Sequence, residues 1–142
     1  MKKLSREAEQ ILVERFGRDT VIALATTENG VPHVRSVNAF YENRAFYVLT
    51  YAMSAKMKQI EKNPVVAISG EWFTAHGRGV NLGYFGKDEN SAIAQKMRLV
   101  FAEWIDNGHN NFSDENTCIL RIELTDGLLL SHGTRYEIDF SD

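Results

Sequence analysis

The chain has 142 residues, 44% of them apolar, a formal net charge of −3 and a single cysteine. That length buries a core and makes one domain, while the mild acidity provides no basic stripe along which a nucleic-acid backbone could run. The lone thiol, Cys118, excludes an internal disulfide and fits a reducing cytoplasm, and no apolar run is long enough to cross a bilayer as a helix.

The first residues, MKKLSREAEQ, are charged and lead into an amphipathic pattern through Ile11, Leu12, Arg15 and Phe16, not into an apolar signal segment. Two extended runs, Val21 to Thr27 and Val31 to Phe40, flank Glu28-Asn29-Gly30, a hairpin signal because Asn-Gly supplies the positive φ angles of a tight primed turn. A break at Glu42-Asn43-Arg44 leads to a third strand, Ala45 to Tyr51, completing a meander. With side chains alternating along the middle strand, His33, Arg35 and Val37 share one face and Val34, Ser36 and Asn38 the other. Strands one and three are apolar on both faces, which calls for a second covering layer.

After the third strand come Met53, Ser54, Ala55 and Lys56, with Met57 and Ile60 on one side of a short helix that Asn63-Pro64 ends. Ser54 is a natural N-cap, and a helix start offers unpaired N–H groups and a positive dipole end to an anion. Lys56 in the first turn opposes that dipole, so an anion between them rationalises it. Arg35 supplies a second charge, its planar fork matching a phosphate. Each residue also has a plainer reading: Arg35 paired with Glu42, Ser54 as a cap alone, Lys56 in solvent.

Further on, Pro64 to Phe73 reads as a fourth strand and His76 to Leu82 as its continuation past a bend at Gly77 and Gly79. Asp88 to Asp106 reads as the longest helix, with Ile93, Met97, Val100, Phe101 and Trp104 on one face and Asn107-Gly108 as its stop. Strands Thr117 to Leu124 and Leu128 to Tyr136 flank a turn at Thr125-Asp126-Gly127. The expected fold is mainly β: an antiparallel six-stranded split β-barrel, residues 1–142 as one domain, with flanking helices. Cys118 reads as inert packing. His33, His76, His109 and His132 lack ligand spacing, so no metal site is expected. Trp72, Phe73 and Trp104 read as core or subunit surface, and Gly77-Arg78-Gly79 lacks the context of a dinucleotide fingerprint.

The segments LATTENGVPHVRSV, AFYVLT and SAKMKQIEKNPVVAIS, in that order and spacing, resemble the FMN-binding split β-barrels of the pyridoxamine 5'-phosphate oxidase-like family, in particular its small general-stress-protein branch. The resemblance implies that Arg35, Ser54 and Lys56 hold the FMN phosphate, and that Ser36, Val37 and Asn38 with Thr50 and Tyr51 lie beside the flavin ring. It implies a homodimer with the flavin at the interface, acting as an oxidoreductase on an unidentified small molecule with NAD(P)H as a candidate donor. A non-catalytic flavin- or haem-binding protein is the alternative. The family's B6 oxidases grip substrate with Arg and His of a longer C-terminal segment. His132, Arg135 and Tyr136 do not reproduce that pattern, so vitamin B6 oxidation is not expected.

Overall fold

Three tight turns with both central residues at positive φ set the sheet's register: Asn29 and Gly30 (51° and 79°), Asn43 and Arg44 (49° and 64°), and His132 and Gly133 (49° and 79°). Such turns match the right-handed twist of the strands they join. The computed structural model describes residues 1–142 throughout. Its elements are β1 (Lys2–Lys3), α1 (Arg6–Phe16), β2 (Thr20–Glu28), β3 (Val31–Glu42), β4 (Ala45–Tyr51), α2 (Ala55–Lys62), β5 (Val65–Gly70), β6 (Phe73–Tyr84), α3 (Ser91–Val100), β7 (Thr117–Ser131) and β8 (Thr134–Asp139). Six strands in the order β7-β4-β3-β2-β5-β6 close into an antiparallel barrel through β6–β7 pairing, and β8 and β1 extend the sheet beyond β7. The expected split barrel is therefore present, with two added strands.

The split itself lies between β3 and β4. They pair only at Phe40–Tyr47, Tyr41–Phe46 and Glu42–Ala45, although β3 pairs with β2 all the way from Ala39 to Val31. Beyond Phe40 the two strands diverge, leaving β3 a free backbone edge toward the gap. The other side of β4 pairs with β7 down to Tyr51–Thr117. The core inside the barrel is aromatic, with Phe16, Phe46 and Phe73 in mutual contact. Helix α1 reaches it with Ala8, Leu12 and Phe16, its N-cap Ser5 accepting from Ala8 N at 3.1 Å. Helix α2 packs closely on β6 because residue 79 is glycine: a Cβ there would stand 2.8 Å from Ile60 Cγ2.

Four expectations need correction. The apolar run Pro64 to Phe73 is two strands, not one: β5 ends at Gly70 and β6 starts at Phe73, across a turn in which Trp72 has φ 53°. Tryptophan at positive φ carries no turn signal. Secondly, Thr125-Asp126-Gly127 lies inside β7, at a register shift where His76 faces Asp126 and Gly77 faces Leu124. Gly127 is needed there for close packing, since a Cβ would meet the Phe73 ring at 3.0 Å and Phe140 at 3.1 Å. The real reversal is His132-Gly133. Thirdly, the helix expected from Asp88 to Asp106 is a 3₁₀ turn, Asp88–Asn90, followed by α3, which ends at Val100. Phe101 and Ile105 stay buried in the following turns, so the apolar period outlasts the helix. Lastly, the second face of strand β4 is covered within the chain: Tyr47 and Leu49 pack on the outer cluster of Phe40, Phe85, Met97, Phe101, Ile105 and Ile119. The outer face of β2 and its neighbours remains open, with Val21, Val34 and Val65 exposed.

Candidate functional site

The corner where β2, β3 and α2 meet gathers the residues expected to hold a phosphate. Arg35 points to the barrel side of β3. Its Nη1 donates to Thr26 Oγ1 at 2.7 Å and to Leu24 O at 3.2 Å, and Nη2 donates to Gln59 Oε1 at 3.2 Å. Gln59 Oε1 also accepts from Thr26 Oγ1 at 2.5 Å, so one buried Thr–Gln pair fixes the guanidinium from two sides. All these acceptors are neutral. Glu42, the carboxylate that could have paired with Arg35, instead meets Lys96 at 3.2 Å.

Lys56 lies one helical turn before Gln59 and on the same side of α2. Burial, and then the Arg35 charge, hold its ammonium below the usual lysine range. Burial likewise lowers Arg35. Neither side chain takes part in any of the eight ion pairs of the molecule. Two cations crowd one another without a counter-charge, an arrangement a bound anion would relieve.

Ser54 gives an independent indication. It is the N-cap of α2 by backbone conformation, yet its side chain makes no capping bond. Its Oγ is one of three buried side-chain atoms lacking a hydrogen-bond partner, the others being Glu9 Oε1 and Tyr41 Oη. Those two are neighbours: burial first, then the Glu9 carboxylate, raises the Tyr41 hydroxyl above its usual range. Ser54 has no such neighbour, and an orphaned buried hydroxyl beside a helix start and two cations fits a phosphate monoester.

Of the residues expected beside a ring, Ser36, Val37 and Asn38 lie on the free edge of β3, with Ser36 and Asn38 exposed and Val37 half-buried. Thr50 and Tyr51 stand across the split on β4, paired with Cys118 and Thr117. The split brings the two groups to opposite banks of one groove. Cys118 is buried, and burial raises its thiol while nearby Lys56 opposes the rise. His132 and Arg135 are elsewhere, on the β7–β8 hairpin at the far end of β7 from Thr117. Arg135 meets Glu137 at 3.5 Å.

Sequence reasoning missed Thr26, Gln59 and Asp19. The first two carried a signal: Thr26 continues the inward series Ile22, Leu24, and Gln59 falls between Met57 and Ile60, so each is a polar residue in an apolar slot. Asp19 accepts from Asn38 Nδ2 at 3.0 Å and from Trp104 Nε1 at 2.9 Å, contacts across long sequence gaps that leave no local trace.

A cleft of about 480 Å³ lies elsewhere, between α1 and the β7–β8 hairpin, lined by Glu7, Glu14, Arg15, Arg18, His132 and Tyr136 among others. Its size does not make it the better site. Arg15 donates to the carbonyls of Glu71 and Leu130, Arg18 donates to that of Glu14, and Tyr136 donates to Glu7. The two arginines there stand beside the carboxylates of Glu7 and Glu14.

A family model described as pyridoxamine 5'-phosphate oxidase matches residues 8–126. General stress protein 26 of Bacillus subtilis (strain 168) is 24% identical over 130 residues, which cover 92% of this chain and 93% of that protein. A solved pyridoxamine 5'-phosphate oxidase-related, FMN binding protein from Nostoc punctiforme superposes with a TM-score of 0.58 at 18% identity, covering 98% of each chain. A heme binding protein from Mycobacterium smegmatis superposes with a TM-score of 0.67 at 16% identity, over 96% of this chain and 60% of that one. At such identities the solved structures speak for the fold.

Proposed function

Because the chain belongs to the pyridoxamine 5'-phosphate oxidase family, we propose that it is a cytoplasmic, homodimeric FMN-binding protein that carries out oxidoreduction on a small molecule. The observation that carries this reading is the orphaned Ser54 hydroxyl at the start of α2, beside the carboxylate-free cations Arg35 and Lys56. Arg35 and Lys56 neutralise the phosphate dianion, Ser54 donates its hydroxyl hydrogen to it, and Thr26 and Gln59 keep the Arg35 fork oriented. Backbone groups along the free edge of β3, from Ser36 to Asn38, and Thr50 and Tyr51 on β4 line the ring. Bound FMN supplies the hydride or electron transfer; the chain anchors, orients and shields it, so no side-chain acid or base is required.

A second copy of the chain completes the site in this reading. The outer face of β2, β3 and β5 beside the corner exposes Val21, Val34 and Val65 with Ala23, Ala25 and Ala67 between them. An open apolar sheet face next to a half-built groove favours a self-complementary dimer. The expected substrate is not pyridoxamine 5'-phosphate: that dianion needs its own cation site near the ring, and Arg135, the candidate, lies beside Glu137 at the far end of β7.

The test is an absorption spectrum of the protein titrated with FMN, followed by addition of NADH or NADPH, with light scattering on the same sample. Stoichiometric flavin, bleaching by a nicotinamide and twice the 16.1 kDa chain mass are expected. A haem spectrum with no flavin uptake would replace FMN as the ligand. An FMN-loaded monomer would remove the shared-site dimer.

A further inference from the structure

Asp19, in the link between α1 and β2, has a carboxylate held by two neutral N–H donors and by no cation. Oδ1 accepts from Asn38 Nδ2 at 3.0 Å and Oδ2 from Trp104 Nε1 at 2.9 Å. The three residues come from the α1–β2 link, the free-edged part of β3 and the turns after α3. A carboxylate can only accept, so it decides which way the Asn38 amide faces: the NH2 group turns to Asp19 and the amide oxygen turns away. The other carboxylate oxygen ties down the indole of Trp104, whose ring packs on Phe101 with centroids 4.7 Å apart.

That choice of amide face matters for a flavin. The pyrimidine edge of an oxidised isoalloxazine presents one N–H donor between two carbonyl acceptors. An Asn38 with its oxygen turned away from Asp19 offers that edge an acceptor; the reversed amide would set donor against donor. We infer that Asp19 is a positioning residue for the flavin ring: one carboxylate fixes Asn38 as an acceptor at the ring edge and pins the Trp104 turn against β3 as a wall of the ring site. The inference rests on the FMN reading above and extends it from the phosphate to the ring. It also gives the irregular segment after α3 a task, since Trp104 is its tie to the groove.

The test titrates FMN and riboflavin separately against wild type, Asp19→Asn and Asp19→Ala in the full chain, and records the visible band of the bound flavin. Asp19→Asn is isosteric but replaces one acceptor by a donor, so either Trp104 loses its partner or Asn38 turns over. Both flavins should weaken by the same factor, about fivefold, because a ring contact is common to them, and the band should shift. In an Asn38→Ala background, Asp19→Asn should weaken both flavins by less than it does in wild type, because only the Trp104 contact is left to lose. Loss confined to FMN, or unchanged affinities and band in Asp19→Asn, overturns the positioning role and leaves the FMN reading intact. If wild type binds neither flavin, the FMN reading falls and this inference falls with it. Should Asp19→Ala fail to fold, Asp19→Asn decides by the same criteria.

Discussion

Two regions of this molecule each hold a pair of basic side chains, and they differ in what those side chains already touch. In the α1 cleft, Arg15 and Arg18 are taken up by main-chain carbonyls, and Glu7 and Glu14 stand beside them. At the corner of β2, β3 and α2, Arg35 touches only neutral oxygens, Lys56 has no counter-charge, and the Ser54 hydroxyl has no partner. The first region is a cleft of about 480 Å³. The orphaned Ser54 hydroxyl and the want of a neighbouring carboxylate, not volume, mark the corner as the candidate anion site.

The comparison is broken most directly by removing one cation from each region. Arg35→Ala and Lys56→Ala should each weaken FMN by about 1.5–3 kcal/mol, the worth of a charge-assisted contact, and riboflavin far less. Arg15→Ala should leave both affinities unchanged and cost stability instead, about 1 kcal/mol in a urea titration, through its lost carbonyl contacts. Equal weakening of FMN and riboflavin by the Arg35 and Lys56 variants would remove the phosphate from the corner. Of similar size but different kind is Gly79→Ala. The added methyl meets Ile60 and must displace α2, so we expect a stability loss of about 1–3 kcal/mol and weaker FMN together. A variant as stable as wild type would show that α2 does not depend on that close approach.

Ser54→Ala separates a cap from a ligand contact. A side chain that caps its helix costs about 0.5–2 kcal/mol on removal. Ser54 makes no capping bond, so the ligand-free protein should melt at an unchanged temperature while FMN affinity falls by about 1 kcal/mol. A lowered melting temperature with unchanged FMN affinity would make it a cap after all. The smallest effect is on pH dependence. The folded protein holds Lys56 below the ordinary lysine value through burial and Arg35, so its charge disappears earlier as pH rises. The ratio of FMN to riboflavin affinity should therefore fall with rising pH before a free lysine would titrate, and Lys56→Arg should flatten that fall. A ratio independent of alkaline pH in wild type would mean that the ammonium does not contact the phosphate.

What the sequence revealed follows the range of the interactions. The meander, the hairpin at Asn29-Gly30 and the helix start at Ser54 are local, and each was readable from turn chemistry and period. That Arg35, Ser54 and Lys56 gather at one corner was readable for the same reason, since they fall within one continuous stretch. Trp72 in a turn and Gly127 inside a strand were misread because packing, with Phe73 and Phe140 against Gly127, overrides what those residue types usually signal. The extent of α3 was overestimated because Phe101 and Ile105 keep the helical spacing of buried residues after the helix has ended. Asp19 was invisible, since its partners lie at positions 38 and 104.

The long strand β7 has a consequence for how the chain reaches this shape. It pairs with β4 as far back as Ala45–Glu123, with β6 through Gly79–Ile122, and with β8 at its far end. Until Thr117–Ser131 is in place the barrel cannot close, and during synthesis the free edges of β4 and β6 must wait for it. Such distant pairing is the slow kind, paid for in loop-closure entropy before it is rewarded. Thr26, Arg35, Ser54, Lys56 and Gln59 are all made before β7 emerges. The corner of β2, β3 and α2 thus belongs to the early-synthesised part of the chain, and ring closure is the step whose delay exposes the protein to aggregation.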